Sequence, residues 1–134
     1  MKTIAEIEDD FAFLDDWEDR YRYVIELGRE LPPLTADEKN ERTKVSGCAS
    51  QVWLVVEPDG DALNVRGESD AHIVQGLVAL VTRLTSGNKP SEIAASDPRA
   101  FFERIGLTEH LTQQRANGLN SMIQRIKAEA EART

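Results

Sequence analysis

At 134 residues with 40% hydrophobic side chains, the chain is long enough for one compact core, and no apolar run reaches the roughly 18 residues of a membrane span. Its formal net charge of -8 opposes binding to nucleic acid or anionic lipid, both of which take clustered Lys and Arg, and otherwise describes a solvated surface. The opening residues Met1 to Asp10 carry acids where a secretory signal needs a basic start and an apolar block, so the expectation is a single cytoplasmic domain over residues 1–134.

Thr3 and Glu6 stand at capping-box spacing, and Ile4, Ile7, Phe11 and Leu14 recur at helical intervals. A second periodic set, Trp17, Tyr21, Val24, Ile25 and Leu27, runs to Gly28 and Pro32-Pro33, so two helices or one bent helix precede residue 32. Leu31 to Lys39 reads as a rigid turn into a polar connection. Gln51 to Val56 is dense in β-branched and aromatic residues, and Pro58-Asp59-Gly60-Asp61 reads as a turn before a second strand, Ala62 to Arg66. Residues 42–45 offer a third strand, which would put the following loop at a strand connection.

Ser69 and Asp70 then suit an N-cap and a first-turn acid, and Ile73, Val74, Leu77, Val78, Leu80, Val81 and Leu84 form the wide apolar face of a core helix ending at Ser86-Gly87. Asp97-Pro98 opens another helix, with Phe101, Phe102 and Ile105 on its apolar side and Gly106 as its stop. Leu111 to Gln114 leads into a last helix carrying Leu119, Met122, Ile123 and Ile126 on one stripe, followed by a charged tail. The sum is an α+β domain with several helices packed against a small antiparallel sheet of about three strands.

Cys48 is the only cysteine, which excludes an internal disulfide and a thiolate cluster for a metal. Two uses remain, a buried apolar filler or a working thiol. Ser46, Gly47, Ala49 and Ser50 around it are small turn-forming types, which point to a loop tip, and Gly47 offers the positive φ of a tight turn. A cysteine hydrolase would need a base beside the thiol, but the two histidines, His72 and His110, come with no hydrolase signature. Metal-ligand spacing is absent, as is a glycine-rich phosphate loop, since Gly60, Gly67, Gly76, Gly87, Gly106 and Gly118 stand singly and read as turns or helix ends.

The string Gly47-Cys48-Ala49-Ser50-Gln51-Val52-Trp53-Leu54 resembles the signature of the SufE family, sulfur-acceptor proteins that serve cysteine desulfurases in iron–sulfur cluster assembly. Further segments resemble the family in the family's order: Leu31-Pro32-Pro33-Leu34, Glu68 to Leu77, Asp97-Pro98 with Phe101-Phe102, and Leu107 to Leu111 through Arg115 to Leu119. The likeness runs from about residue 10 to the end. Ala49 departs from it, since many members have glutamine there.

The resemblance implies an α+β fold shared with IscU-type cluster scaffolds. It also implies a partner, a pyridoxal-phosphate-dependent cysteine desulfurase of the SufS or CsdA kind, whose persulfide sulfur passes to Cys48 and on to an acceptor such as a cluster scaffold. The pyridoxal phosphate belongs to that partner, and no cofactor is expected here. With one thiol the chain suits a carrier and not a scaffold, which needs several. Around Cys48, Asp70 is a candidate for orienting the loop, or else a dipole-stabilising acid. His72, Arg115 and Asn117 are candidates for partner binding or loop support, with an ordinary helix-cap region as the alternative for Arg115 and Asn117. Gln51 and Trp53 read as loop support and sheet packing. An adaptor that changes desulfurase activity without carrying sulfur is the main alternative function; a thiol redox sensor is weaker without a resolving cysteine.

Overall fold

The computed structural model describes residues 2–134. Thr3 and Glu6 close a reciprocal capping box at the start of α1 (Ile4–Phe13), satisfying two backbone donors that the first turn cannot pair internally. The bent-helix alternative gives way to a break at Leu14–Asp16. Arg20 donates from its guanidinium to the Leu14 carbonyl at 2.6 Å and the Phe11 carbonyl at 3.1 Å, while Asp16 accepts from Glu18 N–H and starts α2 (Trp17–Arg29).

Two strands follow, β1 (Val52–Asp59) and β2 (Ala62–Ser69), paired antiparallel from Val52↔Ser69 to Asp59↔Ala62 around a Gly60-Asp61 turn. Their inner face presents Val52 and Leu54 from β1 and Leu63, Val65 and Gly67 from β2. The expected third strand is reduced to one isolated bridge, Lys44↔Trp53. Its backbone is instead drawn into a turn, in which the Asn40 side chain accepts from the N–H groups of Arg42 and Thr43, so only Thr43 and Val45 bond to β1. The polar connection before it is pinned over the outer face of the hairpin. Leu34 N–H and Lys39 both donate to Glu68, and Arg66 is paired to Glu38 and Glu57. The Arg66 guanidinium, helped by Thr35 N–H, holds the Glu38 carboxyl down at about 2.

Helix α3 (His72–Thr85) is the centre of the molecule. It is buried without interruption from Gly76 to Thr82, as an apolar helix enclosed on all sides must be, and it packs against α2, β2 and α6. Thr82 and Thr85 enter the core because their hydroxyls donate back to the Ala79 and Val81 carbonyls. Its start corrects the sequence reading. Ala71 is the N-cap residue and makes no side-chain cap bond, while Asp70 turns away to another partner.

The chain continues through α4 (Pro90–Ala95), α5 (Pro98–Arg104), a single 3-10 turn at Thr108–His110, and α6 (Gln113–Glu131). Helix α4 is missing from the sequence reading; Pro90 begins it, Glu92 accepts from Lys89 N–H, and Ile93 is buried. Gly67, Gly76 and Gly118 are also not at turns or helix ends but inside β2, α3 and α6. Gly76 is there for close approach. A Cβ at that position would run into the Val24 carbonyl oxygen, and one at Gly28 would lie 2.7 Å from Gly76 N, so α2 and α3 meet backbone to backbone.

Gly76→Ala therefore has to push two main chains apart. It is expected to destabilise the protein by about 2 kcal/mol, within the usual range for overpacking, as a lowered midpoint in denaturant unfolding. A midpoint equal to the native one would show that the crossing is slack.

Candidate functional site

Loop 46–51 carries the single thiol. It is closed at its base by Val45 N–H donating to the Val52 carbonyl at 2.8 Å, so strand pairing sets its two ends side by side. Gly47 takes φ 88, a left-handed conformation that residues with a Cβ rarely adopt, and this folds the loop back toward α6. A side chain on Gly47 would meet Ser121 Oγ at 2.6 Å. Two further ties come from other elements. Asp70 accepts from Gln51 N–H at 3.1 Å and returns its own N–H to the Gln51 carbonyl at 3.3 Å. From α6, Arg125 donates to the carbonyls of Arg42 and Lys44 just upstream of the loop.

The result is a braced loop whose thiol faces inward. Cys48 is half-buried, with Sγ 3.6 Å from the Gly118 carbonyl oxygen, a geometry that suits a neutral S–H donor. A Cβ at Gly118 would stand 3.5 Å from Sγ, an ordinary van der Waals contact, so the sulfur lies against α6 at this point. The thiol opens onto a cleft of about 220 Å³, with Val74 and Leu77 of α3 and Leu119 and Met122 of α6 as apolar walls and Arg115 among the polar residues at its edge. Burial pushes the Cys48 thiol up from its ordinary value. The facing carbonyl acts in the same direction, since it accepts from the thiol and repels the thiolate.

The other candidate residues divide by position. Asp70 is in contact with the loop through Gln51, and Arg115 lines the Cys48 cleft at the exposed first turn of α6. Asn117 is exposed on α6 and accepts from Gln113 at 3.0 Å. His72 lines a separate hollow with Gly28 and Gln75, and His110 stacks on Trp17 with ring centroids 3.6 Å apart. Neither histidine lines the cleft, which removes the nucleophile–base geometry of a cysteine hydrolase. Among the described residues no group of His, Cys, Asp and Glu is placed to hold a metal ion.

Sequence reasoning placed Arg115 and Asn117 near the site but missed how α6 holds the loop itself. Ser121, Arg125 and Gly118 all support or receive the loop, yet they lie some seventy or more positions from Cys48, and nothing local to either segment announces the contact. Gln75 was also missed; it accepts from Ser69 N–H and donates to the Gly28 carbonyl, tying α2 to the strand end that leads into Asp70.

A thiolate titration followed by ultraviolet absorbance is expected to give Cys48 a midpoint above that of an ordinary cysteine in the native protein, returning to the ordinary value in denaturant. A native midpoint at or below the ordinary value would contradict the neutral, carbonyl-facing thiol.

Comparison with known proteins places this architecture. A family model described as the SufE Fe-S metabolism associated domain matches residues 5–130. An uncharacterized SufE-like protein of Rhizobium meliloti (strain 1021) is 58% identical, with 99% of this chain and 98% of the relative covered. Another of Rhizobium etli is 56% identical, covering 99% and 93%. A solution structure of a hypothetical protein from Thermus thermophilus superposes with a TM-score of 0.77 at 21% identity, over 96% of this chain and 93% of that one, and so shares the fold. The chain belongs to the SufE family, whose domain is associated with iron–sulfur metabolism.

Proposed function

We propose that this protein is a sulfur carrier that accepts persulfide sulfur on Cys48 from a pyridoxal-phosphate-dependent cysteine desulfurase of the SufS or CsdA kind. It passes that sulfur to a downstream acceptor such as an iron–sulfur cluster scaffold, stimulates the desulfurase by unloading it, and works in the cytoplasm as a single domain. The observation that carries the reading is the placement of the chain's one cysteine on a loop braced from three sides and opening onto a cleft with both apolar and polar walls, in a member of this family.

In the transfer, the Cys48 sulfur attacks the outer sulfur of the desulfurase persulfide. A new S–S bond forms at Cys48 while the old one breaks, and the Cys48 proton goes to the departing desulfurase thiolate. One persulfide and one thiol enter and one of each leaves, so no oxidant or reductant is consumed. With no second cysteine in the chain, the Cys48 persulfide cannot be resolved into an internal disulfide. The cleft beside Sγ, walled by Val74, Leu77, Leu119 and Met122 and rimmed by Thr112, Gln114 and Arg115, supplies room for the added sulfur.

The neutral, half-buried thiol is a poor nucleophile by itself, so docking of the desulfurase has to draw loop 46–51 outward. Arg115 at the cleft edge is suited to pair with an acidic group on the partner, with exposed Asn117 beside it on α6, while His72 is exposed at the separate hollow as a second candidate contact. Asp70 is a positioning residue acting through Gln51. The same sheltered thiol favours a second reading, an adaptor that binds a desulfurase and alters its activity without taking sulfur.

Intact-mass spectrometry after incubation with a cysteine desulfurase and free cysteine separates the two. The carrier gains one reductant-labile sulfur that Cys48→Ser does not; an active, bound desulfurase that adds no mass supports the adaptor. Asp70→Ala is expected to slow transfer by roughly fivefold, the value of about 1 kcal/mol of lost hydrogen bonding, while raising the alkylation rate of the free thiol. Asp70→Asn, which keeps an acceptor for Gln51 N–H, is expected to restore both. Equal behaviour of all three proteins would remove Asp70 from the account.

A further inference from the structure

Charge is distributed unevenly over this acidic chain. Residues 1–30 hold ten carboxylates against four cations, so α1 and α2 form an acidic side. The two stretches that build the Cys48 face, residues 42–56 and 112–127, hold Arg42, Lys44, Arg115, Arg125 and Lys127 and no carboxylate, although the net charge of the protein is -8. Arg125 is occupied with the Arg42 and Lys44 carbonyls, and Lys127 with the Ser96 carbonyl. Arg42, Lys44 and Arg115 remain, all exposed and, among the described residues, none in a salt bridge.

Helix α6 sets these three on two sides of the thiol. Along it, Arg115 lines the cleft, Gly118 faces Sγ, Ser121 faces Gly47, and Arg125 reaches the backbone of Arg42 and Lys44. The step from Arg115 to Arg125 is about 15 Å of helix, and Cys48 lies between its ends. In the strip beside Arg125, Val45 is buried while Arg42 and Lys44 are exposed. Carboxylates of the adjoining elements are engaged, Asp70 by Gln51 N–H, Glu38 and Glu57 by Arg66, and Glu68 by Lys39. Glu41, next to Arg42 in the chain, forms no salt bridge with it. Arg115 stands in the first turn of a 19-residue helix, where the helix dipole favours acids and none is present. Nor do these cations activate the sulfur, since burial raises the Cys48 thiol and no cation draws it down.

Given the desulfurase partnership proposed above, on which this assignment rests, we propose that the Cys48 face docks onto a carboxylate-rich surface around the donor's persulfide. Arg42 and Lys44 are its specificity-determining contacts, on the far side of the thiol from Arg115. Cations gathered on one face of an otherwise acidic molecule orient it during approach, because the acidic side repels such a partner and this face alone attracts it. Nucleic acid and anionic lipid are poorer matches, since both are recognised by larger basic clusters and both are repelled by the net charge of -8.

The test is stopped-flow association of the full chain with a cysteine desulfurase, at ionic strengths of about 0.01 M and about 1 M, between which the Debye length falls from about 30 Å to about 3 Å. The double variant Arg42→Gln/Lys44→Gln is expected to associate roughly fivefold or more slowly than the native chain at low salt and at the native rate at high salt. The control Arg22→Gln/Lys89→Gln removes the same charge from exposed positions on α2 and beside the turn end of the hairpin, and is expected to associate like the native chain. Alkylation of free Cys48 is expected to be equal in all three, because Arg125 holds residues 42 and 44 by their carbonyls. Equal slowing by both double variants would make net charge the cause and overturn the proposal. So would native-like association of Arg42→Gln/Lys44→Gln, slowing that persists at high salt, or faster alkylation of that variant, which would show its side chains holding the loop. Single-stranded RNA and phosphatidylserine vesicles are run alongside; binding of either that this variant abolishes would assign the face to a polyanion and overturn the proposal. A desulfurase that associates through these cations yet adds no sulfur to Cys48 supports the docking surface and removes the carrier reading. One that loads the native chain and Arg42→Gln/Lys44→Gln at equal rates keeps the carrier and removes the docking surface, and no association with the native chain would overturn both.

Discussion

Helix α3 is the member against which the rest of the molecule is set. Its burial without interruption from Gly76 to Thr82 requires a neighbour on every side, and α2, the β1–β2 hairpin and α6 are those neighbours. The approach of α2 is closest, since Gly28 and Gly76 bring the two backbones together, and Gln75 ties the same place to Gly28 and to Ser69. Val74 and Leu77 near the start of α3 also wall the Cys48 cleft.

The shape of the Cys48 loop is a consequence of this packing more than of its own sequence. Strand pairing closes its base, Asp70 at the entry to α3 receives Gln51, and α6 passes close enough at Gly118 and Ser121 to take the turn made at Gly47. The half-buried thiol ends against a backbone carbonyl, an environment that shelters sulfur and disfavours its anion. Protection and reactivity oppose each other at one atom. A carrier resolves that conflict if the reactive position of Cys48 exists only in the complex with its donor.

Much of this was legible in the chain itself. The capping box at Thr3 and Glu6, the Pro98 helix start and the apolar stripe of α3 are local signals, and they led to elements in the expected places. Several failures arose where a side chain outside the segment overrode its local preference. Asp70 reads either as a loop-orienting residue or as a helix-start acid, and it bonds to Gln51 because loop closure brings that N–H within reach. Residues 42–45 read as a strand, but the Asn40 side chain captures the backbone and leaves one bridge. Gly76 and Gly118 read as turns or helix ends, whereas each marks a place inside a helix where another segment comes close. Cys48 was identifiable from its neighbours and from the family signature, but its inward orientation and its Gly118 partner depend on α6, about seventy residues away.

The central claim is that the fold keeps Cys48 sheltered until a sulfur donor docks. The most direct measurement is the alkylation rate of Cys48 in the native protein, alone and with a catalytically dead cysteine desulfurase that binds but carries no sulfur. A slow rate alone, rising severalfold on addition of the partner, is the predicted result. A rate for the free native protein equal to that of the unfolded chain, unchanged by the partner, would contradict it.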